Sequence, residues 1–303
     1  MATITHNRIS WVNLRSPSAR DVESLKKDYE IHESPLADIV VEAATPKIEQ
    51  FDTQLYLVLH FPVFNPERRT TEGREINFII TKDAVITVYR DNLLPLEQLF
   101  ETCEASEETR EELFSDTTAH LLFNILSQLY DYSVRQLNHI KKNIDVIDTE
   151  MFRDSKVGLV KNILEVRRDI LNFRRTLAPQ RHILESLIHR GAHLLGRRSA
   201  QSFEDLKEAY NRVWQILESH KDAIEAIHET NDSLLASQQN GTIQTLTMLS
   251  VVTFYLSLVA AIFSTDAVYK PIIGSRYDFW IIVAIMAGML VILLLFFRRK
   301  HWL

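Results

Sequence analysis

The sequence predicts an α/β domain that is followed by long helices and a hairpin of two membrane-spanning helices. Three observations support this fold class. Residues 1–95 contain short runs rich in β-branched and aromatic residues, and residues 96–201 show helical periodicity. Two uncharged apolar stretches then lie at 246–263 and 279–297. The prediction is therefore a cytoplasmic α/β domain that leads into the membrane through helices.

Residues 1–95 form the predicted N-terminal domain. Strand-like runs lie at 8–14, 55–61, 76–80 and 84–89, and an amphipathic helical run lies at 22–29. β-Branched and aromatic residues are favoured in strands because their side chains pack well on a pleated surface. Six prolines divide these residues into short pieces. We therefore expect a sheet with a few helices.

Residues 96–201 form a predicted region of helical hairpins. Apolar residues recur three and four positions apart within 122–147, and the same spacing returns within 163–177. This spacing places the apolar side chains on one stripe of each helix. The simplest interpretation is two long antiparallel helices that are joined near 153–156.

A long uninterrupted helix is predicted for residues 202–263. Ser202 and Asp205 have the spacing of a capping box, which marks a helix start, and no proline follows before Pro271. From Phe203 onward such a helix measures about 90 Å at 1.5 Å per residue. A helix of this length would carry a cytosolic event mechanically into the membrane.

The two apolar stretches are long enough to cross a bilayer, for which a helix needs ~20 residues. No signal peptide is recognisable before them, and three basic residues, Arg298 to Lys300, follow the second stretch. Basic residues near the ends of spans are retained on the cytoplasmic side. We expect an integral protein of the plasma (inner) membrane, in contact with lipid, with both termini cytoplasmic and the loop 264–278 outside. Residues 279–303 then form the second span and a basic end.

Charge and composition exclude several classes of function. The membrane hairpin carries five basic and two acidic residues, which is a net charge of +3. Because the net charge of the whole chain is −6, residues 1–240 have a net charge of −9. An acidic domain attracts cations rather than nucleic acid. The single cysteine, Cys103, excludes an internal disulfide and a thiolate zinc site within one chain. Without a P-loop, a dinucleotide fingerprint, a zincin motif or a catalytic constellation, we expect neither an enzyme nor an organic cofactor.

Several segments together carry a resemblance that covers the whole chain. These are 47–62 and 83–92 in the sheet, 167–181 in the helical hairpin, and 240–263 with the second span and the ending 296–303. They resemble the CorA family of divalent-cation transporters. The resemblance implies a homopentamer, a funnel of five long helices, and a pore lined by the first span. It also implies transport of Mg²⁺ or another divalent cation.

The chain departs from the family at the pore mouth. The signature Gly-Met-Asn is expected after Phe263, where this chain has Ser264, Thr265 and Asp266. The resemblance would place five Asp266 carboxylates around one axis. Because like charges repel, these groups must bind a cation, take up protons or stay solvated. Asp266 is therefore a candidate metal ligand or, alternatively, a solvated loop residue.

The resemblance also assigns a pore lining on the first span. Its members are Asn240, Ile243, Leu246, Ser250, Phe254 and Ser257. Ile243, Leu246 and Phe254 lie where the family has a hydrophobic constriction, and a narrow apolar ring can gate by dewetting. The polar members would supply oxygens between the apolar rings. The alternative is ordinary packing between helices or against lipid.

Two further candidates lie in the cytoplasmic part. Asp205 matches an acidic position of the family that senses divalent cations between subunits, or it only caps its helix. Glu185, His189 and His193 have the spacing that places ligands on one helix face, which is compatible with zinc. Gly191 is predicted to interrupt that helix.

Three functions remain open on the sequence. The first is a pentameric pathway selective for divalent cations. The second is a divergent channel, less selective or gated by membrane tension, with a hydroxyl and carboxylate mouth in place of the signature. The third is a membrane scaffold that keeps the oligomeric fold without conducting ions.

Overall fold

The computed structural model describes residues 1–41, 45–114, 117–151, 158–265 and 277–300. The chain divides into two compact units, Met1–His228 and Glu229–Leu303. The first unit contains a sheet and most of the helices. The second contains the end of one long helix and the whole of the last helix.

The first unit is built on a six-stranded sheet. Its strands are β1 (Ala2–His6), β2 (Ile9–Arg15), β3 (Lys47–Gln50), β4 (Leu55–Asn65), β5 (Thr70–Ile80) and β6 (Ala84–Tyr89). The spatial order is β1-β2-β6-β5-β4-β3, and only the β2–β6 pair among these strands is parallel. The predicted strands are confirmed, whereas β1 was not predicted because its alternation extends over only five residues.

Nine helices are described. They are α1 (Ala19–Asp28), α2 (Glu33–Val40), α3 (Leu94–Ala105), α4 (Glu107–Phe114), α5 (Thr118–Met151), α6 (Leu159–Leu177), α7 (Gln180–Leu195), α8 (Arg198–Ser264) and α9 (Asp278–Arg299). The periodic segments 122–147 and 163–177 lie in α5 and α6, as predicted. The expected junction at 153–156 lies outside the described residues.

Helices cover both faces of the sheet. On one face Leu25 of α1 and Ile39 of α2 belong to a buried cluster with strand residues such as Ile86. On the other face Trp11 makes an edge contact with Phe100 of α3, with ring centroids 5.0 Å apart. Because both faces are covered, all six residues of β6 are buried, which explains its predominantly apolar sequence.

The first part of α8 is fixed to α5 and α6 by aromatic and charged contacts. The ring of Tyr210 lies 6.0 Å from that of Tyr130 on α5, and its hydroxyl donates to the Leu177 carbonyl at 3.3 Å. Glu218 forms an ion pair with Arg174 of α6 at 3.1 Å. These contacts hold residues 198–228 of α8 within the first unit.

Two details of the helical prediction are wrong. The helix predicted to start at Ser202 begins instead at Arg198, so Ser202 lies inside α8. Gly191 does not interrupt its helix, because α7 runs from Gln180 to Leu195. A Cβ atom at Gly191 would overlap Cε2 of Phe203 and lie 2.9 Å from Cδ2 of the same ring. The glycine is therefore explained by the close approach of α8 rather than by a helix end.

A buried histidine links α8 to α5. His220 lies within the first unit, and its Nε2 donates to the Leu137 carbonyl at 3.1 Å. Burial is the main cause that lowers the pKa of His220, and Lys141 also lowers it, while the bond to Leu137 and the charge of Asp145 oppose the shift. The folded protein therefore favours the neutral imidazole, and the unfolded chain takes up the proton more readily.

We expect His220 to make the first unit less stable in acid. The stability associated with its neutral form is fully present above the unfolded pKa of about 6.5 and is lost as the pH falls toward the lowered folded value. His220→Gln retains a donor but cannot titrate. Between pH 7 and about pH 5, the midpoint temperature of thermal unfolding of the full-length protein should fall more steeply in the wild type than in this variant. The same decrease of the midpoint temperature with pH in the wild type and in His220→Gln would contradict the prediction.

Candidate functional site

The second unit contains two exposed apolar helical segments. Within the described residues, α8 and α9 are long and apolar enough to cross a membrane, and almost none of their most apolar residues are buried. The spans predicted at 246–263 and 279–297 lie within these two helices. Apolar surface of this extent requires an apolar environment, which a bilayer supplies.

The six predicted pore-lining residues lie on one stripe of α8. Asn240, Ile243, Leu246, Ser250, Phe254 and Ser257 are all exposed. Their spacings of three and four residues place them on the same side of the helix. The stripe therefore alternates apolar side chains with amide and hydroxyl groups.

Two hydroxyl groups on this side of α8 have a defined orientation: that of Ser250, and that of Thr247, which lies seven residues after Asn240 and therefore on the same side of the helix. Thr247 Oγ1 donates to the Ile243 carbonyl at 2.7 Å, and Ser250 Oγ donates to the Leu246 carbonyl at 2.8 Å. A hydroxyl group has one proton and two lone pairs. Because each proton is used within the helix, the oxygen can only accept further hydrogen bonds or bind cations. The sequence predicted the residues of the stripe but not this orientation.

The predicted pore mouth is partly described. Ser264 is the last residue of α8, and Thr265 follows it with its hydroxyl donating to the Ala261 carbonyl at 2.9 Å. Both residues are exposed. Asp266, the candidate metal ligand, lies outside the described residues.

Asp205 lies on the first part of α8 and is exposed. Its Oδ1 accepts a hydrogen bond from Gln201 Nε2 at 3.0 Å. Because α8 begins at Arg198, Asp205 is not in the first turn, and the capping explanation for this acidic residue no longer applies.

The histidine pair on α7 is not assembled into a metal site. Glu185 Oε1 pairs with Lys207 Nζ at 3.2 Å, and this contact is the main cause that lowers the pKa of Glu185. His193 Nδ1 lies 3.0 Å from Gln50 Nε2. Among the residues that the structure describes, no group of three His, Cys, Asp or Glu side chains is placed to hold a metal.

The fold and the exposed helices define an α/β domain linked to a two-span membrane segment, and known proteins share this plan. The cobalt/magnesium transport protein CorA of Thermotoga maritima is 22% identical over 296 residues, which are 97% of this chain and 83% of that protein. The structure of the CorA magnesium transporter of Methanocaldococcus jannaschii superposes with a TM-score of 0.84 at 18% identity, covering 100% of this chain and 95% of the other. The cytoplasmic domain of ZntB from Vibrio parahaemolyticus gives a TM-score of 0.61 at 14% identity, covering 77% of this chain and 90% of the domain.

The profile of the CorA-like Mg²⁺ transporter proteins matches residues 6–299. The chain belongs to this family. Its members are integral membrane transporters of divalent cations and not enzymes. The resemblance that the sequence suggested is confirmed.

Proposed function

We propose that this protein transports Mg²⁺, or a closely related divalent cation, through the pore of a homopentamer in the plasma (inner) membrane. Residues 1–95 and 96–201 form the cytoplasmic part, and α8, which begins at Arg198 and ends at Ser264, is the long helix that enters the membrane. Residues 264–278 are the external loop, and 279–303 return to the cytoplasm. The membrane potential drives uptake, supplying about 2.3 kcal/mol per charge per 100 mV.

The orientation of the hydroxyl groups on α8 carries this proposal. Five copies of α8 around an axis, with this side facing inward, would present the acceptor oxygens of Thr247 and Ser250 to the pore. Mg²⁺ prefers oxygen ligands and gives up its hydration water reluctantly. These hydroxyl groups already donate their protons to backbone carbonyls, so their oxygens are free to accept hydrogen bonds from the water shell of a hydrated cation. This property suits the passage of such a cation.

The apolar members of the stripe act as the gate. Ile243, Leu246 and Phe254 are each more than half exposed, so their side chains are available to line the axis. Five large apolar side chains at one level leave a narrow ring from which water withdraws. The two rings formed by Ile243 and Leu246 close the cytoplasmic side of the pathway, and Phe254 closes it near the middle of the span.

Asp205 couples the cytoplasmic cation level to this gate. Its carboxylate is exposed on α8 and carries no capping function. A divalent cation bound between carboxylates of neighbouring subunits reduces their mutual repulsion and holds the subunits together. Loss of the cation then frees the long helices to move.

At the external mouth, Ser264, Thr265 and Asp266 replace the signature of the family. A ring of five Asp266 carboxylates concentrates divalent cations in front of the pore and repels anions. Uptake of ²⁸Mg²⁺ into liposomes that contain the purified full-length protein tests this role. We expect saturable uptake, which falls about tenfold in Asp266→Ala and stays unchanged in Asp278→Ala, where the same charge is lost at the other end of the loop.

The same liposomes distinguish the other candidate functions. K⁺ uptake equal to that of Mg²⁺, Co²⁺ and Zn²⁺ would indicate a less selective channel, for which the hydroxyl and carboxylate mouth in place of the signature is the distinguishing feature. No flux of any cation under a gradient or osmotic stress would overturn transport and leave the scaffold. Equal loss of uptake in the two aspartate variants would contradict the specific role of Asp266.

A further inference from the structure

The end of α9 combines an apolar groove with a basic side chain. A cavity of about 440 Å³ lies along this helix and is lined by Val291, Leu294, Leu295 and Arg298. Spacings of three and four residues place all four on one side of α9. Leu294 and Leu295 are 44% and 61% exposed, so the wall of the groove is open to its surroundings.

Arg298 is available to a ligand from outside the chain. It is exposed, and within the described residues no carboxylate forms an ion pair with it. A guanidinium group binds phosphate through two parallel hydrogen bonds. Val291 and Arg298 are seven residues apart, which corresponds to about 10 Å along the helix axis. The groove therefore offers an apolar wall with a phosphate-binding group at one end.

We propose that this groove binds one anionic phospholipid of the cytoplasmic leaflet. One acyl chain lies against Val291, Leu294 and Leu295, and the phosphate lies on Arg298. The inference rests on the proposed function for the direction in which α9 crosses the membrane, because Arg298 must lie at the level of the cytoplasmic headgroups. An anionic lipid is favoured by charge, since Arg298, Arg299 and Lys300 follow one another without an acidic residue.

Lys300 provides a matched control. It carries the same charge as Arg298, but two residues further along it lies on a different side of the helix. Its Nζ lies 5.9 Å from the centroid of the Phe296 ring, a cation–π contact that directs it away from the groove. General attraction to an anionic membrane depends on both side chains, whereas a lipid in the groove depends on Arg298.

The experiment measures lipid retained by the full-length protein. Wild type and variants are reconstituted in nanodiscs of phosphatidylglycerol and phosphatidylcholine, then released and weighed by native mass spectrometry across a titration of phosphatidylglycerol. We expect Arg298→Gln to weaken retention about tenfold and Lys300→Gln by no more than about twofold. Arg298→Lys keeps the charge but loses the two parallel hydrogen bonds of the guanidinium group, so its lipid retention should lie between those of Arg298→Gln and Lys300→Gln. Leu295→Ser should weaken retention without a change of charge.

Several outcomes would overturn the site. These are equal losses in Arg298→Gln and Lys300→Gln, equal retention of phosphatidylcholine, or displacement of the lipid by inorganic phosphate alone. Disulfide cross-linking of Leu295→Cys between subunits would show that a second copy covers the groove. Flux assays on the same preparations separate the two proposals. Transport without lipid retention rejects only the lipid site, and selective retention without transport rejects only the transport function.

Discussion

Gly191→Ala is expected to destabilise the full-length protein by about 2–3 kcal/mol, because the added methyl group overpacks a closed contact. The new Cβ would overlap the ring of Phe203, and that ring is completely buried. In an exposed helix the same substitution usually stabilises, since glycine costs about 1 kcal/mol relative to alanine. Tertiary packing therefore reverses the sign of the helix propensity. Thermal unfolding of the protein in detergent, followed by tryptophan fluorescence, measures the effect.

Gly241→Ala is the matched control, because Gly241 lies in α8 and an added Cβ there would meet nothing within 4 Å. We expect Gly241→Ala to leave the midpoint temperature of unfolding unchanged or to raise it slightly. In the background of Phe203→Leu, Gly191→Ala should cost less than in the wild type, since the smaller side chain makes room. An equal effect of Gly191→Ala in both backgrounds would show that the ring is not the cause.

Phe254→Ala is expected to raise cation flux about tenfold, which corresponds to lowering the barrier by about 1.4 kcal/mol. In the proposed pentamer five phenyl rings narrow one level of the pore, and their removal lets water remain there. Leu249→Ala is the matched control. Both side chains are 64% exposed in one chain, but Leu249 lies outside the stripe that Asn240 begins.

The comparison of these two variants decides which face of α8 lines the pathway. Flux through liposomes should rise in Phe254→Ala and remain close to the wild type in Leu249→Ala. A rise in Leu249→Ala alone would place the axis on the other side of the helix. Unchanged flux in both variants would remove the apolar gate from the proposal.

Much of the fold follows from local patterns in the sequence. The central strands are recognisable because their β-branched residues fill a sheet that is covered on both faces, and α5 and α6 because apolar residues return every three or four positions. Helix α4 was not predicted, since five of its eight residues are charged and its apolar residues show no period. Its buried residues, Leu113 and Phe114, lie together at its end.

The errors in the prediction arise from contacts that a local pattern does not contain. Ser202 and Asp205 have the spacing of a cap, yet α8 begins earlier, where Ser199 Oγ donates to the Gly196 carbonyl at 2.6 Å. In the sequence Gly191 resembles a helix breaker, whereas the structure shows that it makes room for the ring of Phe203. In the candidate site the spacing identifies the stripe, but only the positions of the hydroxyl groups in space indicate that they are acceptors.

The hydrogen bonds from side-chain hydroxyl groups to backbone carbonyls within α8 also affect how this helix bends. Five of them lie close together, from Thr242, Thr245, Thr247, Ser250 and Thr253 to carbonyls four residues earlier. Each competes with a backbone N–H for the same carbonyl oxygen, and such competition promotes bending. These bonds therefore favour curvature of α8 between residues 238 and 253. In the proposed pentamer the same stretch offers oxygens to the ion, so a bend there would change the pore diameter and turn the oxygens together.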